Sequence, residues 1–139
     1  MPSLIFTVYG TPQPQGSMKA FARGKRIIVT SDNTKLEPWR QQVSGTALAA
    51  AIDQKFLRIP RPLGVALTLR FYFERPKSVK YPDKSSRPDL DKLERAICDA
   101  LSGIAYDDDS QVTRVTKSKD FGMIARTEIV VTTAEQRAE

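Results

Sequence analysis

Arg87 to Val112 reads RPDLDKLERAICDALSGIAYDDDSQV and sets five aspartates at its two ends, inside a chain that is otherwise basic. Leu90, Leu93, Ile97, Ala100 and Leu101 recur at helical spacing, Pro88 blocks extension backwards, and Gly103 follows the last periodic residue as a stop. Asp89 and Asp91 therefore fall at the entrance of a helix, where unpaired N–H groups and the positive end of the dipole favour carboxylates. Capping alone accounts for such a pair, with Asp89 as N-cap and Asp91 in the first turn, each contributing about 1 kcal/mol or less.

Asp107, Asp108 and Asp109 change that reading. They are adjacent, no basic residue lies within four positions of them, and such a run repels itself unless a cation is near. The helix from Asp91 to Leu101 spans roughly 15 Å, while the steps from Leu101 to Asp109 reach up to about 26 Å extended. If the chain doubles straight back, Asp89, Asp91 and one or two of the later aspartates form one oxygen-rich pocket. With no cysteine or histidine in it, that pocket suits a hard ion such as Mg²⁺ or Mn²⁺. It is not a calcium EF-hand: counted from Asp89, Leu93 and Glu94 stand where a ligand and a glycine belong, and Ala100 where the bidentate acid belongs.

Pro88-Asp89-Leu90-Asp91, Leu93, Asp99-Ala100-Leu101 and Asp108-Asp109-Ser110-Gln111-Val112 together resemble the signature of the RusA-type Holliday-junction endonucleases. The match spans about 26 residues. More loosely, Gly10-Thr11-Pro12-Gln13-Pro14 resembles that family's Gly-x-Pro-x-Pro turn, which a basic segment follows. The resemblance implies a small, homodimeric, Mg²⁺-dependent resolvase, with Mn²⁺ as a substitute, of a kind common in phages and prophages. By it Asp89, Asp91 and Asp109 correspond to metal-binding catalytic carboxylates, with Asp108 as the neighbouring acid. The chain departs from the family pattern at two positions: Lys92 stands where the family has Asn, and Arg95 where it has a catalytic-site Lys. Arg95 lies four residues after Asp91 on one helical face. It keeps the positive charge without being able to give up a proton near neutral pH, and as a purely structural residue it makes an exposed ion pair.

The rest of the chain reads as support. Its 139 residues, 40% hydrophobic, are enough for one domain over 1–139 without disulfide staples. Cys98 is the single cysteine, placed on the helix for buried packing, and the absence of histidine excludes His-based acid–base, metal and Ser-His-Asp chemistry. The N-terminus lacks the pattern of a signal peptide and no apolar run has membrane-span length, so the expected location is the cytoplasm, that of a bacterial host if phage encoded. Residues 1–88 carry 15 Lys and Arg against 5 Asp and Glu, while residues 89–139 carry 7 against 11. A basic body around an acidic pocket suits a polyanion whose phosphate is brought to a metal.

Along the chain, Leu4 to Tyr9 predicts a strand, Gly10 to Gly24 a turn-rich loop, and Ile27 to Thr30 a strand that closes onto the first. Lys19, Arg23, Lys25 and Arg26 are candidate DNA contacts, with Phe21 among them available to stack on an exposed base or to pin the loop. Leu36, Trp39, Val43, Ala47 and Ala50 share a helix face, with a Thr34–Glu37 capping box or a later start at Pro38. Val65 to Glu74 alternates cleanly as a strand. The basic connection Arg75 to Arg87 offers Lys77, Lys80, Lys84 and Arg87, with Lys92 just beyond it, to the sugar–phosphate backbone. Gln111–Ser118 and Met123–Thr132 predict two strands joined as a hairpin through Lys119–Gly122, before a frayed end.

The expected order is β-β-α-β-α-β-β: an α/β (α+β) domain with one mixed sheet and two helices, homodimeric because two symmetric nicks need two sets of carboxylates. The implied function is resolution of four-way junctions in DNA recombination and repair. The alternatives are a Mg²⁺-dependent nuclease of flaps or other branched DNA, and a non-catalytic DNA-binding protein whose aspartates only cap a helix.

Overall fold

A computed structural model describes residues 3–16, 18–23, 26–31 and 33–134, with side chains between 17 and 32 left undescribed. Its elements are β1 (Leu4–Tyr9), β2 (Met18–Arg23), β3 (Arg26–Ser31), α1 (Leu36–Gln54), β4 (Val65–Glu74), α2 (Leu90–Leu101), a single 3₁₀ turn (Asp109–Gln111), β5 (Val112–Gly122) and β6 (Arg126–Thr133).

The clean alternation of β4 puts Val65, Leu67, Leu69, Phe71 and Phe73 on one face, all buried, and makes β4 an interior strand of a four-stranded mixed sheet ordered β1-β6-β4-β5. The α1 helix packs against β1 and α2. Leu36, Trp39, Val43 and Ala47 are buried along α1, and Leu93, Ala96, Ile97, Ala100 and Leu101 along α2; with the inward side chains of the sheet they form one core cluster. That burial, rather than helix propensity, sets where the helices lie.

The fold departs from expectation in three places. Ile27–Thr30 does not close onto β1: β3 pairs antiparallel with β2, inside the stretch expected to be loop, and the two form a separate two-stranded sheet. The C-terminal strands do not form a hairpin either. Instead β5 lies parallel beside β4, β6 runs antiparallel between β1 and β4, and so β4 separates them. The stretch Lys119–Gly122, expected to be a turn, belongs to β5, whose outer edge is held by the preceding loop: Phe121 N–H donates to Pro82 O (2.7 Å) and Lys84 N–H to Lys119 O (3.4 Å). The parallel β4–α2–β5 unit is the arrangement for which a right-handed crossover is the rule. Third, Thr34 does not cap α1. Lys35 takes the N-cap position without a side-chain bond, and Asn33 Oδ1 accepts its N–H at 3.0 Å. Among the described residues no helix is long and apolar enough to cross a membrane.

Candidate active site on the second helix

Asp89 occupies the N-cap of α2 with extended backbone, yet its side chain makes no capping hydrogen bond. Its ion-pair partner is Lys92, 3.9 Å away. Capping therefore does not account for this carboxylate, whose oxygens face outward at the helix entrance. Two residues on, Asp91 lies 3.8 Å from Arg95, both side chains being about 60% exposed or more. An exposed pair at that distance contributes a few tenths of a kcal/mol, so it leaves both groups available to a ligand.

The approach to Asp89 is fastened from the sheet. Lys119, reaching from β5, donates to the carbonyls of Ser86 and Pro88, both at 2.7 Å. Two residues earlier on the same strand, Lys117 pairs with Glu94 at 2.6 Å, so β5 holds both α2 and the segment that leads into it. Neither lysine was singled out by sequence reasoning, which placed Lys119 in a turn; as both lie on β5, their spacing of two puts them on one face.

The return of the chain is set by Tyr106. Gly103 takes a left-handed φ of 83° that side-chain-bearing residues rarely adopt, its N–H donates to Tyr106 O (2.7 Å), and the fully buried Tyr106 hydroxyl donates to Cys98 O (2.7 Å). This anchors Asp107–Asp109 beside the C-terminal third of α2. Asp107 pairs with Arg58 at 3.0 Å and accepts the Arg61 N–H at 3.0 Å. Asp108 accepts the Ser110 N–H at 3.0 Å and stands 3.8 Å from Arg61; the Ser110 hydrogen bonds, then Arg61, hold its carboxyl below the usual range. Gln111 secures the loop: its Oε1 accepts the Asp108 N–H, and its Nε2 donates to Ile59 O and Leu63 O. Arginines distant in sequence thus relieve the repulsion expected of the run at two of its three members. Among the described residues Asp109 has no such partner, and it lies against Asp99. Desolvation first, then the Asp108 and Asp99 carboxyls, raise its proton affinity.

Asp91, Arg95 and Asp99 follow at spacings of four, so they form one stripe along α2, with Asp109 at its far end. Asp99 also reaches α1, 3.6 Å from Arg40. The same spacing in the sequence was a signal for Asp99 that pairing the two ends of the stretch overlooked. About 12 Å of helix rise separates Asp91 from Asp99. Among the described residues no three His, Cys, Asp or Glu side chains converge on one metal position. Asp109 therefore stands beside Asp99, toward the C-terminal end of α2, because Tyr106 fixes the return of the chain there. The donor chemistry still fits a hard divalent ion, for which one or two carboxylates with water suffice.

Of the expected DNA contacts, Lys77, Lys80 and Arg87 are exposed on the connection into α2. Lys84 lies over the Phe73 and Phe121 rings at 5.0 and 5.4 Å and donates to Ser86 Oγ. Lys19, Arg23 and Arg26 are on the β2–β3 sheet with undescribed side chains, as is Phe21, and Lys25 lies outside the described residues.

Carboxylates and cations interleaved on one exposed helix face, above a basic approach, have the chemistry that metal-assisted hydrolysis of a phosphodiester draws on. The chain matches the endodeoxyribonuclease RusA family over residues 9–132, and it belongs to that family. It is also similar to the uncharacterized protein YqaN of Bacillus subtilis (strain 168), at 29% identity over 143 residues, covering 94% of this chain and 96% of that protein.

Proposed function

We infer that this chain is a structure-specific DNA endonuclease that resolves four-way junctions, acting as a homodimer with Mg²⁺ or Mn²⁺. The observation that carries the reading is the family match, which takes in both acidic ends of the Arg87–Val112 stretch. The Asp89 carboxylate, which its own helix does not use as a cap, supports it.

Asp89 and Asp91 would hold the ion, which supplies a polarised water and positive charge at the leaving oxygen. The resemblance assigns Asp109, with Asp108 beside it, to the same set. In this chain Asp109 stands at the other end of the stripe, so its part is tested by its own substitution. Arg95, between the two groups, offsets charge that builds on the phosphate in the transition state, while Arg87, Lys92, Lys77 and Lys80 bind the flanking backbone.

The deciding experiment incubates the full chain with a labelled four-way junction, a flap and a linear duplex, each with Mg²⁺ and with excess EDTA. Paired symmetric nicks in the junction alone are expected, together with a dimer by sedimentation at micromolar concentration. Equal cutting of flaps makes it a general branched-DNA nuclease, and binding without metal-dependent nicking makes it a binding protein.

A further inference from the structure

Beside Asp89 lies a cavity of about 490 Å³ that shares Arg87, Asp89 and Lys92 with the basic approach and the helix entrance and adds a wall that neither of them uses. One wall is the Thr11–Pro14 turn and the other is the entrance of α2. The cavity is built in: Gln15 N–H donates to Lys92 O at 2.9 Å, tying the turn to α2, and Gly10 N–H donates to Ala125 O at 3.0 Å, tying it to the connection that enters β6. Its volume lies within the range of small-molecule sites.

Its lining is graded. The inner surface is apolar, from Pro12 and Phe73, both mostly buried. The Gln13 carboxamide stands in it, positioned by Asn33 Nδ2, which donates to Gln13 Oε1 at 3.2 Å and to Pro14 O at 3.1 Å, and by its own Nε2, which donates to Thr11 O at 3.2 Å. Arg87 and Lys92 supply cations, and Asp89 closes the side toward the stripe. A ligand matched to this gradient has a planar heterocycle with donors and acceptors on its edge and an anion attached a few bonds away. A nucleotide has that form.

We propose that the cavity receives one extruded nucleotide of the strand being cut, its base between the prolines and Phe73 with its edge on Gln13, and its phosphate at Arg87 and Lys92, next to Asp89. This rests on the junction-nuclease reading and extends it to substrate selection. Extrusion costs least where pairing and stacking are already interrupted, as they are at the exchange point of a junction. The base edge then becomes readable, and a protein that otherwise grips only backbone gains a preference for which nucleotide lies beside the cut.

The test uses the full chain and junctions carrying 2-aminopurine at successive positions about the exchange point, in Ca²⁺ so that binding is read without cutting. Wild-type protein is expected to change the fluorescence at least threefold at one position per cut strand. Thr11→Trp, which fills the cavity from an exposed position, is expected to abolish that change. In Mg²⁺, with all four bases placed at that position, Gln13→Ala is expected to alter the ratio of fastest to slowest cleavage at least tenfold, whereas damage to the fold alone slows all four equally. No responsive position, or an unaltered ratio together with an unaltered signal in Thr11→Trp, overturns the pocket while leaving a junction-binding nuclease in place. A chain that does not bind the junction at all overturns both readings.

Discussion

Lys119 Nζ donates to the carbonyl of Pro88, one residue before Asp89, and to that of Ser86, so a β5 side chain fixes the turn that presents the first carboxylate of α2. A charged donor spanning two carbonyls sets the direction of the backbone at Pro88, and with it the aim of Asp89. Lys119→Met is expected to raise the Mg²⁺ concentration needed for half-maximal cleavage about tenfold, with Lys119→Arg recovering most of it. The loss in stability is about 1–3 kcal/mol. An unchanged Mg²⁺ requirement with only a lower melting temperature would show that the clamp serves the fold alone.

Asp91→Asn and Asp109→Asn are each expected to abolish junction cleavage while binding persists or tightens, because each removes a metal-binding charge together with a repulsion toward phosphate. Gel shift alongside single-turnover cleavage measures both. An Asp109 variant that cuts within a few-fold of wild type removes Asp109 from the site and leaves Asp89 with Asp91.

Arg95 lies 3.8 Å from Asp91 on an exposed face, where a pair contributes little to stability. If its charge meets the transition state, Arg95→Ala lowers the single-turnover rate at saturating enzyme tenfold or more, and Arg95→Lys stays active. An unchanged rate in the alanine variant reduces Arg95 to a surface ion pair.

Mg²⁺ and Mn²⁺ are expected to support nicking, and Ca²⁺ to support binding with little turnover, since Ca²⁺ is larger, looser in geometry and a poorer activator of water. Cleavage assays with each ion at equal concentration decide it. Robust nicking in excess EDTA rules out the metal mechanism.

Burial, and then the Glu94 charge, push the Cys98 thiol up to about 12 from an ordinary 9.0, and burial first also raises Tyr106. Both groups keep their protons in the native chain at pH values where the unfolded chain loses them. The native state thus binds more protons in that window, and stability falls as pH rises above about 9. Native Cys98 should accordingly resist alkylation at pH 8 and react rapidly once the chain is unfolded, as mass spectrometry after timed quenching will show. Rapid native alkylation would mean that the helix opens there.

The parts legible from residues alone are those whose information is local. The 3.6-residue period of Leu90 to Leu101 and the strict alternation of Val65 to Glu74 gave α2 and β4 at their observed bounds. The bulky apolar face of α1 was likewise legible, with Ala51 rather than Ala50 completing its buried stripe. Strand partners were not. Lys119-Asp120-Phe121-Gly122 has the composition of a turn, and only its parallel pairing with Phe71–Glu74 of β4 on one side and the bond from Phe121 N–H to Pro82 O on the other show why it continues as strand.

The sequence by itself determined the chemistry available at the site: carboxylates at a helix entrance, no histidine, one buried cysteine, and a basic half joined to an acidic one. These follow from residue type and short spacing, which folding cannot alter. Only the tertiary structure decided where the second acidic group stands. Loop length permitted Asp109 to reach Asp91, but burying the Tyr106 ring and satisfying its hydroxyl on Cys98 stopped the chain beside Asp99. Pairings between residues far apart are settled by which arrangement buries the most apolar surface with its polar groups satisfied, a property of the whole core that no single stretch contains.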